Sequence, residues 1–214
     1  MYASIVAEAS FWSQLVEIDR KLQQVLIARG CPRCEGPLHV GDHPRKPRGL
    51  PEGLEEVWSH RFNTCCGSCR RRCMPPSVRF LGRRVYAGAI VILATMFALV
   101  CGAARRTLQR WSAWWTQALP ATTWWRQMRG RFDRPVDSSR LPASLLQRYE
   151  APSGAPSPEA LTEMLIALGP MTTSVVASAV FGGAVGRAGL AQKMPIDCNR
   201  RDLLPESRAP TKPT

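Results

Sequence analysis

Cys31-Pro32-Arg33-Cys34 is answered about thirty residues on by Cys66-Gly67-Ser68-Cys69, and this pairing constrains the chain more than anything else in it. A C-x-x-C turn holds two sulfurs close enough to share one tetrahedral ion, and two such turns complete a closed four-thiolate zinc site. A module this small has no hydrophobic core of its own, so the metal would stand in for one. A closed site leaves no position for substrate. The H-x-E and H-E-x-x-H patterns that would set a general base beside a catalytic zinc do not occur in the chain.

The assignment from spacing is Cys31, Cys34, Cys66 and Cys69, with alternatives at the second pair. Cys65 is adjacent to Cys66, and Cys73 lies four residues beyond Cys69, so either is placed to replace a neighbour. His39, His43 and His60 also fall within the module, where a solvated loop position is the plainer reading of each. Cys101 sits in an apolar run and Cys198 in the tail, neither with an evident partner. The eight cysteines would suit disulfides in a secreted chain. Met1-Tyr2-Ala3-Ser4, however, carries no basic segment leading into an apolar one, so a reduced, cytoplasmic metal protein is expected.

Charge points to the partner. The chain has 29 Lys+Arg against 16 Asp+Glu, a formal net charge of +13. Lys occurs only at 21, 46, 193 and 212, so the excess is almost all Arg. Such a balance favours a polyanion, either nucleic acid or an anionic membrane face, and Arg suits bidentate contacts to phosphate and guanine. The run from Arg61 to Arg84 holds Arg61, Arg70, Arg71, Arg72, Arg79, Arg83 and Arg84 with no acid, and Phe80 and Tyr86 accompany it. A solvated basic face is the plain reading of such a run; its overlap with the second knuckle raises the nucleic-acid reading.

Five segments are expected. Residues 1–30 form an N-terminal helix over 3–29, with Ile5, Phe11, Leu15, Ile18, Leu22, Val25 and Leu26 at helical spacing and Gly30 as its stop. Residues 31–76 form the zinc-ribbon module, with a loop from Gly41 to Leu54 and short strands such as Trp58–Thr64. Residues 77–132 form a helical region. Residues 133–194 hold a Pro- and Ser-rich linker, a short helix near Leu141–Tyr149 and an apolar helix within 159–191, broken at Gly169-Pro170. Residues 195–214 form a disordered tail. The fold class is mostly α with a small β module.

Ala87–Ala104 is uncharged and apolar, long enough for a transmembrane span, and flanked by Arg. The competing reading takes Gly102-Ala103-Ala104-Arg105-Arg106-Thr107-Leu108-Gln109-Arg110-Trp111 as the turn and second helix of a helix-turn-helix. Ile90, Leu93, Met96, Phe97 and Val100 are then core, Leu108, Trp111 and Trp115 pack inward, and Arg105, Arg106, Gln109 and Arg110 face a groove of DNA. Trp111, Trp114 and Trp115 share one helix face, where core packing is preferred over base stacking.

C-P-R-C, C-x-x-C-R-R-R and G-x-x-R-R-T-L-Q-R-W together resemble the zinc-ribbon and helix-turn-helix DNA-binding region of bacterial insertion-sequence transposases, over roughly residues 31–149. The stretches Pro75–Tyr86 and Leu141–Leu146 are similar to short uncharacterised proteins carried near mobile elements. The resemblance implies binding to transposon ends or a related DNA site, with a transposase or other mobile-element protein as a further partner. Transposases of this type cut DNA with three spaced carboxylates and two metal ions. Here Asp133, Asp137, Glu150, Glu159, Glu163, Asp197, Asp202 and Glu206 fall in linker or tail contexts, so no strand transfer or nuclease activity is expected.

The expectation is therefore a zinc-stabilised, nucleoid-associated DNA-binding protein of mobile-element origin, accessory or regulatory in role. Its DNA contacts would come from Arg70, Arg71, Arg72, Arg83, Arg84, Arg105, Arg106, Gln109 and Arg110. The alternative is a small inner-membrane protein spanning at 87–104 with a cytoplasmic zinc module.

Overall fold

Leu15, Val16, Leu22 and Leu26 recur every three or four residues, and the stripe they make winds Ala9–Arg29 into α2, the longest described helix. The computed structural model describes residues 2–81, 86–97 and 102–172. A single helix over 3–29 is not what forms. A short α1, Tyr2–Ile5, precedes a break, because the Trp12 indole N–H turns back to the Val6 carbonyl at 2.8 Å and Glu8 is extended. Gly30 ends α2 with φ 78°, and a Cβ there would lie 2.9 Å from the Glu35 carbonyl oxygen.

Residues 38–73 make a ribbon of short antiparallel strands. β1 (Leu38–Val40), β4 (Thr64–Cys66) and β5 (Arg72–Cys73) form one sheet in the order β1-β4-β5. β2 (His43–Pro44) pairs with β3 (His60–Arg61), and the one-turn α3 (Glu55–Trp58) lies between them in sequence. The strand expected at Trp58–Thr64 is thus divided. Trp58 closes α3, sealed between Trp12 and Phe80 with ring centroids 5.1 and 5.5 Å away, so the chain starts pairing only at His60.

The helical part holds α4 (Gly88–Phe97), α5 (Arg105–Ala113) with a π-turn over Trp114–Ala118, α6 (Thr123–Arg129), α7 (Ala143–Leu146) and α8 (Pro158–Leu168). The Ser157 hydroxyl caps α8 by accepting from the Ala160 N–H, and Pro158 opens its first turn. α8 ends at Leu168, beside the break expected at Gly169-Pro170. The rest of the expected helix, the tail, Cys101, Cys198 and Val100 lie outside the described residues.

One large core gathers Trp12, Leu15, Trp58, Phe80, Ile92, Leu93, Trp111, Trp115, Trp125 and Leu165. The stretch read as linker also feeds it: Val136, Leu141, Leu145 and Leu146 are buried there, and the Ser144 hydroxyl donates to the Asp137 carbonyl at 2.6 Å. A second, smaller core consists of Leu26, Cys31, Leu38, Cys66 and Cys73. α2 supplies residues to both. The fold is mostly helical with a small antiparallel module.

The apolar run has a place in this core. Residues Gly88–Ala94 of α4 are buried in protein. Among the described residues no helix is long and apolar enough to cross a membrane; residues 98–101 of the span expected at 87–104 lie outside them.

Candidate metal centre and basic surface

The two C-x-x-C turns are built alike. In the first, the Glu35 N–H donates to the Cys31 carbonyl at 2.8 Å and the Cys31 N–H to the Gly36 carbonyl at 2.9 Å. In the second, Arg70 N–H donates to the Cys66 carbonyl at 3.0 Å and Cys66 N–H to the Arg71 carbonyl at 2.8 Å. Both turns close through a left-handed residue after the second cysteine, Glu35 at φ 58° and Arg70 at φ 57°. Neither is a glycine, so each turn holds a conformation that side chains disfavour.

Facing each other, the turns bring the Sγ atoms of Cys31, Cys34, Cys66 and Cys69 within 4.8 Å of one another. Across the two turns, Cys34 and Cys66 are 3.5 Å apart and Cys31 and Cys69 3.7 Å. Zinc–sulfur bonds of about 2.3 Å in a tetrahedron put sulfurs about 3.8 Å apart, so the donor set and its spacing fit a zinc ion. Among the described residues no other group of three or more metal-ligating side chains converges.

Strand pairing decides between the adjacent cysteines. Leu38 opposes Cys66, while His39 opposes Cys65 and Cys65 opposes Arg72. Successive strand residues point to opposite faces, so Cys66 turns inward beside Leu38 and Cys65 turns outward with His39 and Arg72. Cys73 is buried in the small core, outside the cluster of four. His39 packs its ring near Gly67, and His60 Nδ1 lies 2.8 Å from the Ser59 hydroxyl.

The four thiols are unequal. The Cys69 N–H pointing at Cys66 Sγ, 3.4 Å away, is the main cause that lowers the Cys66 thiol to about 6, against the burial that opposes it. Burial, with neighbouring thiols, pushes Cys69 well above the usual thiol range. Cys31 and Cys66 are buried, Cys69 is half-buried and Cys34 is exposed.

No protein-family model matches the chain, and it matches no curated protein and no solved structure.

The arginines sort into two populations. Arg70 is exposed on the second knuckle, with Arg71 and Arg72 half-buried after it. On α5, Arg105, Arg106, Gln109 and Arg110 are exposed while Trp111 and, on the next turn, Trp115 are sealed in the core. The turn before α5 uses Gly102 at φ 66°, the left-handed conformation expected there. The inward tryptophans are core: Trp111 packs edge-on to Tyr86 at 4.9 Å. Phe97, expected inside, is exposed at the end of α4. Arg83 and Arg84 lie outside the described residues.

Arg61 and Arg79 belong to the interior, a correction to reading the whole run as a solvated face. Arg79 Nε donates to Asp19 at 2.8 Å, and its Nη2 donates to the His60 carbonyl at 2.9 Å. Its guanidinium lies over Phe62 at 4.3 Å. Asp19 also accepts from the Ser77 hydroxyl and the Val78 N–H, both at 2.7 Å. Burial is the largest cause that lowers Arg61 to about 10; the Asp19 charge opposes it, while Arg45 and Arg79 reinforce it. No Asp or Glu occurs from Val57 to Phe132, so the counter-charge for these arginines comes from elsewhere in the chain, here from Asp19 of α2. The signal was in the sequence: Asp19 falls on the apolar stripe of α2 between Leu15 and Leu22, where only a paired acid is tolerable.

Proposed function

We propose that the chain is a zinc-stabilised DNA-binding protein, accessory or regulatory and non-catalytic, of the mobile-element lineage that its knuckle and helix strings resemble. The observation that carries the reading is the convergence of four thiolates at the base of a turn from which Arg70, Arg71 and Arg72 run directly. Zinc held by Cys31, Cys34, Cys66 and Cys69 would supply a crosslink that keeps the two turns apposed. Arg70 then stands at a fixed position for phosphate, and the exposed face of α5 offers Arg105, Arg106, Gln109 and Arg110 to a groove. A transposase or related mobile-element protein is the partner this lineage implies.

Titrating zinc-loaded protein onto labelled duplex DNA at several salt concentrations tests this. Binding should weaken steeply as salt rises and should fall when a chelator strips the metal. Affinity indifferent to both would end the proposal.

A further inference from the structure

We infer that Cys34 is a site of oxidation by hydroperoxides, resolved across the two turns by Cys66. The inference rests on the zinc reading of the same four sulfurs. Cys34 is the exposed member of the set, whereas Cys31 and Cys66 are 1% and 0% exposed. On the opposite turn, Cys66 Sγ lies 3.5 Å from Cys34 Sγ. Cys65, although adjacent to Cys66 in sequence, faces the other side of β4 with His39 and Arg72, so its thiol is turned away from Cys34. Exposed thiolates are the ones that peroxides reach, and a second thiol in contact converts the first product into a disulfide.

The chemistry balances with a hydroperoxide as the oxidant. The Cys34 thiolate attacks the terminal peroxide oxygen, the O–O bond breaks, and hydroxide or alkoxide leaves. Cys34 becomes a sulfenic acid and the peroxide is reduced by two electrons. The Cys66 thiolate then attacks the sulfenic sulfur, the S–O bond breaks, hydroxide leaves, and the Cys34–Cys66 bond forms. Two of the four donors are thereby withdrawn, and Cys31 and Cys69, 3.7 Å apart, are left as the pair that can oxidise next. Thiol reductants reverse the Cys34–Cys66 bond.

The test uses full-length protein whose zinc content is measured first. Hydrogen peroxide is then added, metal release is followed with a chromogenic chelator, and disulfides are mapped by peptide mass spectrometry. The expected result is loss of the bound zinc together with a Cys34–Cys66 linkage, in wild type and in Cys65→Ser alike. Cys34→His keeps a donor for zinc but removes the reactive thiol, so peroxide should no longer strip the metal on the wild-type timescale. A first disulfide within one turn or through Cys65, or unchanged release from Cys34→His, overturns the inference and leaves the zinc reading standing. Protein that carries no zinc before peroxide is added overturns both.

Discussion

Asp19 on α2 and Arg79, sixty residues later, form an ion pair at 2.8 Å with both side chains closed off from water. The pair ties α2 to the segment leaving the ribbon, and the Ser77 hydroxyl and Val78 N–H complete the carboxylate's partners. Removing only the acid strands a guanidinium in the core. Asp19→Ala should therefore cost about 3–5 kcal/mol in urea unfolding. Asp19→Leu combined with Arg79→Met should recover much of that loss, because an apolar pair of similar volume avoids the uncompensated charge.

Metal stoichiometry separates the cysteines. Serine at 31, 34, 66 or 69 should each abolish one-to-one zinc binding, measured on protein exchanged into metal-free buffer. Cys65→Ser should leave it intact, as its side chain faces away from the cluster. Cys73→Ser should keep the metal but lower stability by about 1–3 kcal/mol, since it places a hydroxyl in the small core beside Leu26 and Leu38.

Gly36 is the point at which the two turns press together. A Cβ there would collide with the Ser68 hydroxyl and come within 2.8 Å of Ser68 Cβ. Gly36→Ala should push the turns apart and weaken zinc affinity in competition with a fluorescent chelator. Adding Ser68→Gly should restore most of it, a rescue that a general folding defect would not show.

Proton release on zinc binding should depend on pH in a stated direction. Cys66 is lowered to about 6, so above that pH it meets the metal already ionised and releases nothing. Below about 6 it must lose a proton, and one further proton per zinc should appear, with affinity falling more steeply on acidification. Calorimetry in buffers of different ionisation enthalpy measures the count on both sides.

Arginine replacements should divide by location. Arg105→Gln, Arg106→Gln and Arg110→Gln should each leave thermal stability nearly unchanged and reduce the salt slope of DNA binding by about 0.9 for every phosphate no longer neutralised. Arg79→Gln should instead lower stability, because its guanidinium is interior.

Local geometry made the metal cluster legible: a C-x-x-C turn fixes its two sulfurs within four residues. The inward tryptophans of α5 were readable for the same reason, since helical periodicity places Trp111 and Trp115 on one face. The choice of Cys66 over Cys65 was not, because it depends on which residue of β1 lies opposite, a pairing set by distant chain. Asp19 on the apolar stripe signalled that a buried partner existed, but that the partner is Arg79, sixty residues on, was hidden likewise. Prolines and serines around residues 135–145 signal loop, yet spaced apolar residues such as Val136, Leu141 and Leu145 anchor that segment to the core.

α2 packs Leu26 against Cys31, Leu38, Cys66 and Cys73 while its earlier turns enter the main core. The ribbon is therefore not a cassette that can be lifted out at Gly30 and grafted elsewhere. A fragment that begins there leaves behind the lid over its own thiols, and any minimal version of this protein has to carry the preceding helix with it.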